Sequence, residues 1–231
     1  NDEALRRKRA IYEGCGSTKT CFGSPNGCIE TQDCKAAVTV LVKGERYIFE
    51  MIGESGKYVA VGLSSDDKMG DDSIVECVEN GGQISVHTSW NDGKKNKRLP
   101  SVENIVNPEE GTLEDGRIYC RFSRERRSIV NNQEFDIENK DYYLLLAMGS
   151  SLKSNGVGYH DVLREASGSA VRLSDVAEVA VADDILIRVH GALMIASWVG
   201  TASVGILLAR YYKQTWLRSQ LCGKDHWFVW H

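Results

Sequence analysis

The chain is poor in the marks of common enzyme classes. It has no Walker-type phosphate loop, no dinucleotide fingerprint and no serine-nucleophile motif, and the glycines at Gly156 and Gly158 read as turns rather than a phosphate cradle. Neither charge dominates: 28 Lys and Arg stand against 32 Asp and Glu, a net charge of −4, with no basic stripe interleaved with aromatics. Nucleic acid is therefore not an expected partner. No Asn-x-Ser/Thr sequon occurs, so glycosylation gives no information on compartment. No Cys-x-x-Cys pair occurs either, which ranks a zinc knuckle below disulfides for Cys15, Cys21, Cys28 and Cys34. The chain begins at Asn1 without an apolar leader and stops just inside an apolar run, so further sequence is expected on both sides.

One absence is local. From Val189 to Ala209 there is no Asp, Glu, Lys or Arg, and Arg188 and Arg210 close the stretch. Such a helix is about 31 Å long, close to the hydrocarbon thickness of a bilayer. His190 lies inside it, and an ionisable side chain at membrane depth is costly enough to point to function. His231 ends a second apolar run, WFVWH. Two membrane histidines bracketing a basic loop point to haem ligation. Small residues at Gly191, Ala192, Ala196, Ser197, Ala202 and Gly205 permit close helix approach, so neighbouring transmembrane helices of the same protein are expected. His190, Met194, Ser197, Thr201 and Leu208 fall near one helical face.

Two independent patterns orient the span. Arg210, Lys213, Arg218 and Lys224 follow it, whereas Asp175, Glu178, Asp183 and Asp184 precede it. The positive-inside rule puts the C-terminal side in the cytosol and the large N-terminal part outside the cell or in a lumen. Six cysteines, Cys15, Cys21, Cys28, Cys34, Cys77 and Cys120, precede the span and only Cys222 follows it, which fits an oxidising exterior. The six allow fifteen connectivities, and sequence does not choose among them.

The chain divides into a linker and Cys-rich lead-in over 1–35, a β-sandwich over 36–175, and a membrane part over 176–231 whose first helix covers about 186–212. The run Arg6 to Arg9 reads as a solvated linker or a processing site, and residues 14–35 as a disulfide-tied loop region. From Ala36 onward, AAVTVLV, RYIFEMI, KYVAVGL, SIVECV, QISVHTSW, RIYCRF and DYYLLLAM have strand length and β-branched or aromatic content. Turn signals such as Asn80-Gly81-Gly82 and Asn91-Asp92-Gly93 separate them. The expected fold is mainly β: an antiparallel sandwich, one transmembrane helix and the start of a second.

Several side chains stand out within this frame. Met69 sits in SSDDKMGDD, where soluble neighbours make it no core filler. The acids Asp66, Asp67, Asp71 and Asp72 do not follow EF-hand spacing and read as a solvated turn. His160 reads equally as a surface-loop residue or a ligand, His87 as an ordinary strand residue, and His226 as interfacial. Arg210 and Lys213 serve as topology anchors.

The segments HGALMIASWVGTASVGILLARYYK and KDHWFVWH resemble the start of the cytochrome b561 transmembrane electron carriers. YVAVGLSSDDKMGDDSIVECV and GVGYHDVLREASG are similar to a DOMON domain, a β-sandwich that in some members holds b-type haem. GCGSTKTCFGSPNGC and DGRIYCRFSR resemble the animal ferric-chelate reductase group, which joins the two domains and carries a reelin-like domain ahead of them. The resemblance implies that His190 and His231 ligate the irons of two different membrane haems, with partner ligands from later helices. It implies that Arg210 and Lys213 dock an anionic cytosolic donor such as ascorbate. It implies further that Met69 and His160 form an axial pair for haem b in the sandwich. The implied activity is a transmembrane oxidoreductase that reduces ferric chelates outside the cytosol, with this stretch alone inactive. The rival is a membrane-tethered sandwich that binds a ligand or partner without redox activity.

Overall fold

The computed structural model describes residues 10–101, 105–183, 185–212 and 220–225, which fall into two compact units divided at Ala182 and Asp183. The first unit is two facing six-stranded sheets. In chain order the strands are β1 (Thr20–Ser24), β2 (Ala36–Lys43), β3 (Arg46–Glu54), β4 (Tyr58–Ser64), β5 (Ser73–Asn80), β6 (Gln83–Asp92), β7 (Lys95–Arg98), β8 (Val106–Glu114) and β9 (Arg117–Glu125). There follow a hairpin, β10 (Arg127–Val130) with β11 (Gln133–Asp136), then β12 (Tyr143–Gly149), a second hairpin, β13 (Leu152–Lys153) with β14 (Gly156–Val157), then β15 (Leu163–Ala166) and β16 (Glu178–Val179).

The first sheet runs β16-β1-β2-β3-β9-β8 and the second β15-β12-β4-β5-β6-β7. All pairs are antiparallel except β1 with β16. Period-two alternation turns one face of each sheet inward. Val38, Val40, Phe49, Met51, Cys120 and Phe122 from the first sheet meet Val59, Val61, Leu63, Val75, Leu144, Leu146 and Met148 from the second. Phe49 and Phe122 stack with ring centroids 5.1 Å apart. Cys77 on β5 is bonded to Cys120 on β9, so one disulfide ties the two sheets through the core. At the β5–β6 turn, Asn80 pairs with Gln83 across Gly81 and Gly82, both at positive φ, the backbone that a two-residue hairpin requires.

Residues 14–35, loop-like in composition, contain strand β1, buried along its whole length, and a helical turn, α1 (Cys28–Thr31). Cys15–Cys21 and Cys28–Cys34 tie the flanks of β1. Beside it Ile11, Tyr12, Cys28, Cys34, Ala37 and Ile52 form a small second core. The edge is thus built from small residues and half-cystines rather than from an apolar run.

The second unit contains one helix, α2 (Ile185–Tyr211), with mean hydropathy 1.9 over its most apolar window, long and apolar enough to cross a membrane. It matches the expected span. The helix widens to i→i+5 bonding over Ser197–Ala202, so a simple 3.6-residue stripe does not continue unbroken from His190 to Leu208. A short hairpin, β17 (Gln220–Leu221) with β18 (Lys224–Asp225), follows. The expected second apolar segment lies outside the described residues.

Candidate functional site

Strand β4 is buried at all seven positions, so its outer face is covered as well as its core face. That outer face is the floor of a cavity of about 800 Å³, within the range of small-molecule and cofactor sites. Ala60, Gly62, Ile74, Leu145 and Ala147 line it from β4, β5 and β12. The side chains are small or aliphatic, and at Gly62 an added Cβ would come within 2.6 Å of Ile74 Cδ1. The floor is apolar and closely packed.

One wall is the β4–β5 loop, which carries Met69. Of its acids Asp66, Asp67 and Asp71 are exposed, as a solvated turn requires, and Asp72 is the exception. Asp72 is fully buried, and its Oδ2 accepts from Gly70 N at 2.8 Å and Asn91 Nδ2 at 2.9 Å. Burial pushes its carboxyl above the usual carboxylate range, opposed by hydrogen bonds from Ser64, Asn91 and Gly70. Asp66 Oδ1 accepts from Lys68 N at 2.8 Å, and Asp71 N donates to Asn91 O at 2.7 Å. Asp72 through its side chain and Asp71 through its backbone tie the loop that carries Met69 to Asn91 on β6.

The opposite wall is the segment between β14 and β15, which carries His160. Tyr58 sits on the floor with its side chain fully buried, and its hydroxyl donates to Gly158 O at 3.1 Å. Asp161 holds the segment from the other side, accepting from Ser150 N at 2.8 Å. The His160 ring stacks on Tyr159 with centroids 5.0 Å apart, and Arg164 Nη1 donates to Tyr159 Oη at 2.8 Å. Burial, helped by the Arg164 charge, pushes the His160 imidazole below its ordinary value, which favours the neutral ring that a metal needs. Tyr159, His160, Arg164 and Glu165 also line a neighbouring recess of about 460 Å³.

Met69 and His160, far apart in sequence, therefore line one cavity. A thioether and an imidazole facing one apolar-floored cavity would suit the iron of a b-type haem. Tyr58, Asn91, Asn96 and Arg164 belong to the same site and went unrecognised in the sequence. Tyr58 lies in a strand-like run and Arg164 in a loop-like one, so neither carries a local signal. His87 is half-buried on β6, with Nε2 3.0 Å from Ser85 Oγ. His190 is exposed on α2, and Arg210 lies near its end with its guanidinium 5.7 Å from the Tyr211 ring centre. His231, His226 and Lys213 lie outside the described residues.

The family model for the DOMON domain matches residues 30–149. The chain belongs to the DOMON domain family. The putative ferric-chelate reductase 1 homolog of Drosophila melanogaster is 45% identical over 228 residues, covering 96% of this chain and 35% of that protein. The putative ferric-chelate reductase 1 of Danio rerio is 32% identical over 230 residues, with 96% and 39% covered. Ferric-chelate reductase 1 of Homo sapiens is 27% identical over 226 residues, with 94% and 37% covered. The chain spans between about a third and two-fifths of the length of these relatives. The cytochrome domain of Myriococcum thermophilum cellobiose dehydrogenase overlays 62% of this chain and 77% of its own with a TM-score of 0.45 at 8% identity, too loose a likeness to argue from. The similarity to the reductases runs through both the DOMON sandwich and the apolar helix that follows it.

Proposed function

We propose that this chain is the DOMON sandwich and first membrane helix of a haem electron-transfer protein that reduces ferric chelates outside the cytosol. The observation that carries the reading is the meeting of Met69 and His160 on one apolar-floored cavity. The similarity to proteins named ferric-chelate reductases supports the oxidoreductase class. A b-type haem, when bound, supplies one-electron chemistry. Around it, the chain's residues set the conditions. His160 offers a neutral nitrogen because burial and Arg164 disfavour its proton. Met69 offers a thioether, which favours the reduced metal. The apolar floor would exclude water from the cavity, and Tyr58 and Asp72 hold the two walls in place.

In the same reading His190 and His231 belong to two membrane haems, one toward each leaflet. Arg210 and Lys213 meet an anionic cytosolic donor of the ascorbate kind. The N-terminal sandwich faces the exterior or a lumen. These assignments rest on the resemblance to the b561 carriers and on the charge and cysteine asymmetry about the span.

The test is spectral. The chain, produced in an oxidising compartment and purified in detergent, is titrated with haem. A low-spin b-type spectrum that is lost in Met69→Ala and in His160→Ala is expected. A folded protein without that spectrum, or with one that neither substitution alters, would leave the sandwich as a tethered binding module.

A further inference from the structure

The chain is acidic overall, yet the cavity that holds Met69 and His160 is rimmed by cations. Lys68, Lys94, Lys153 and Arg164 line it, against two acids, Asp67 and Glu165. Glu165 already accepts a hydrogen bond from Ser24 Oγ at 3.3 Å. Among the described residues none of the four cations is paired with a carboxylate, and Arg164 spends one nitrogen on the Tyr159 hydroxyl. Elsewhere on the sandwich Arg121 pairs with Glu109, Arg127 with Asp136 and Arg172 with Asp141. Leaving four cations unmatched around one opening raises the local potential there and favours anions.

Their placement is built from separate elements. Lys68 adjoins Met69 on the β4–β5 loop, and Lys94 sits on the β6–β7 turn. The loop and the turn adjoin, because a Cβ at Gly70 would lie 3.7 Å from Gly93 Cα. Lys153 comes from the β13–β14 hairpin and Arg164 from β15, on the His160 side. Below the rim the floor is apolar. The cavity thus offers an apolar bed and a cationic mouth, a combination that fits an amphipathic anion.

We infer that Lys68, Lys94, Lys153 and Arg164 form a carboxylate-binding subsite that holds the anionic edge of an apolar ligand whose body occupies the cavity lined by Ala60, Gly62 and Ala147. The inference rests on the reading of the cavity as the redox-group site, but it makes a separate demand. Recognition depends on the acid groups of the ligand and not only on its metal. A free diacid binds, and its neutral ester loses the rim's contribution.

Metal-free protoporphyrin IX isolates this demand, since it has both carboxylates and no iron for Met69 or His160. The full chain in detergent, and a Lys68→Gln/Lys94→Gln/Lys153→Gln variant, are titrated with protoporphyrin IX and with its dimethyl ester, followed by porphyrin fluorescence. Partition into micelles cancels in the ratio of the two proteins' affinities for the same ligand. The variant is expected to bind the diacid about tenfold more weakly, the sum of a few exposed ion pairs. The ester should bind both proteins alike, and added salt should weaken the diacid only. Arg164→Gln is measured separately, because it also releases Tyr159. All three lysines are exposed, and an unchanged far-UV spectrum confirms the fold. Equal weakening for acid and ester, or none for either, overturns the inference. Porphyrin binding with this rim dependence, but no axial spectrum with haem, would keep the subsite and sink the ligation proposal instead.

Discussion

Removing the Cys77–Cys120 bond should cost the sandwich more than removing either of the other disulfides. The bond closes a separation of 43 residues and joins the two sheets, whereas Cys15–Cys21 and Cys28–Cys34 each close 6. In the chain-entropy account the long bridge stabilises by about 4 kcal/mol and each short one by about 2.2 kcal/mol at 25 °C. The fair comparison is Cys77→Ala/Cys120→Ala against Cys28→Ala/Cys34→Ala, because all four sulfurs are fully buried and the loss of packing is similar in kind. The difference of about 1.8 kcal/mol corresponds to a melting temperature some 4–7 °C lower for the long-bridge variant in a domain of this size. The assay is urea unfolding of the full chain in detergent, followed by the far-UV β signal, with thermal scans alongside. Equal losses, or a larger loss for the short pair, would refute the entropic reasoning and assign the stabilisation to local packing.

Tyr58→Phe should lower stability by about 1 kcal/mol, through the lost hydrogen bond to Gly158 O, and should broaden the NMR signals of Tyr159 and His160. His87 is held below its ordinary value by burial and the Arg98 charge, so the unfolded chain takes up its proton first. Its contribution is complete above about pH 6.5 and is lost as pH falls below that value toward the folded one; His87→Gln should flatten the stability slope there in urea titrations at pH 5 to 7. Arg124 is fully buried against Ser128 and the Phe135 ring, with no carboxylate paired to it among the described residues, and burial lowers its pKa to about 10. Arg124→Met should therefore match or exceed the wild type by about 1 kcal/mol, while Arg124→Ala falls by about 3 kcal/mol as a cavity opens, both read by denaturation midpoints. In intact cells Cys222 should resist an impermeant thiol reagent added outside; ready labelling would reverse the proposed orientation.

The strands that the sequence makes plain are those with a clean apolar face. The seven runs from AAVTVLV to DYYLLLAM correspond to β2, β3, β4, β5, β6, β9 and β12, the middles of the two sheets. Edges are harder to read, because edges must discourage further pairing. β7 is KNKR, all polar, and β8 is VNPEEGTLE, with a register shift between Pro108 and Glu110. β1 is hidden for another reason: TCFGS has one bulky core side chain, Phe22, among small residues and a half-cystine, so it shows no apolar alternation. Disulfide pairing was not legible, since nothing local tells a bond over 6 residues from one over 43. At the site, composition suggested solvent for Asp72, but its burial depends on Asn91 from another strand. Met69 stood out by its odd neighbours, whereas His160 gained meaning only from the family pattern. Lys94 and Lys153 gave no signal, because a surface lysine becomes part of a rim only once the hairpins are in place.

A strand covered on both faces has no neutral positions. Along β4, Val59, Val61 and Leu63 face the core, while Tyr58, Ala60 and Gly62 face the cavity. A substitution at any of them disturbs either packing or ligand. By contrast β6 begins with exposed Gln83, and its half-exposed Ser85 and His87 alternate with core-packed Ile84 and Val86, so change is cheaper at every second position. In a saturation-mutagenesis map, β4 should appear as an unbroken intolerant band without the usual every-other-residue relief. Divergence in what the cavity holds is then confined to its two loop walls. Relatives that exchange one occupant for another would differ around Met69 and His160 while keeping the same floor.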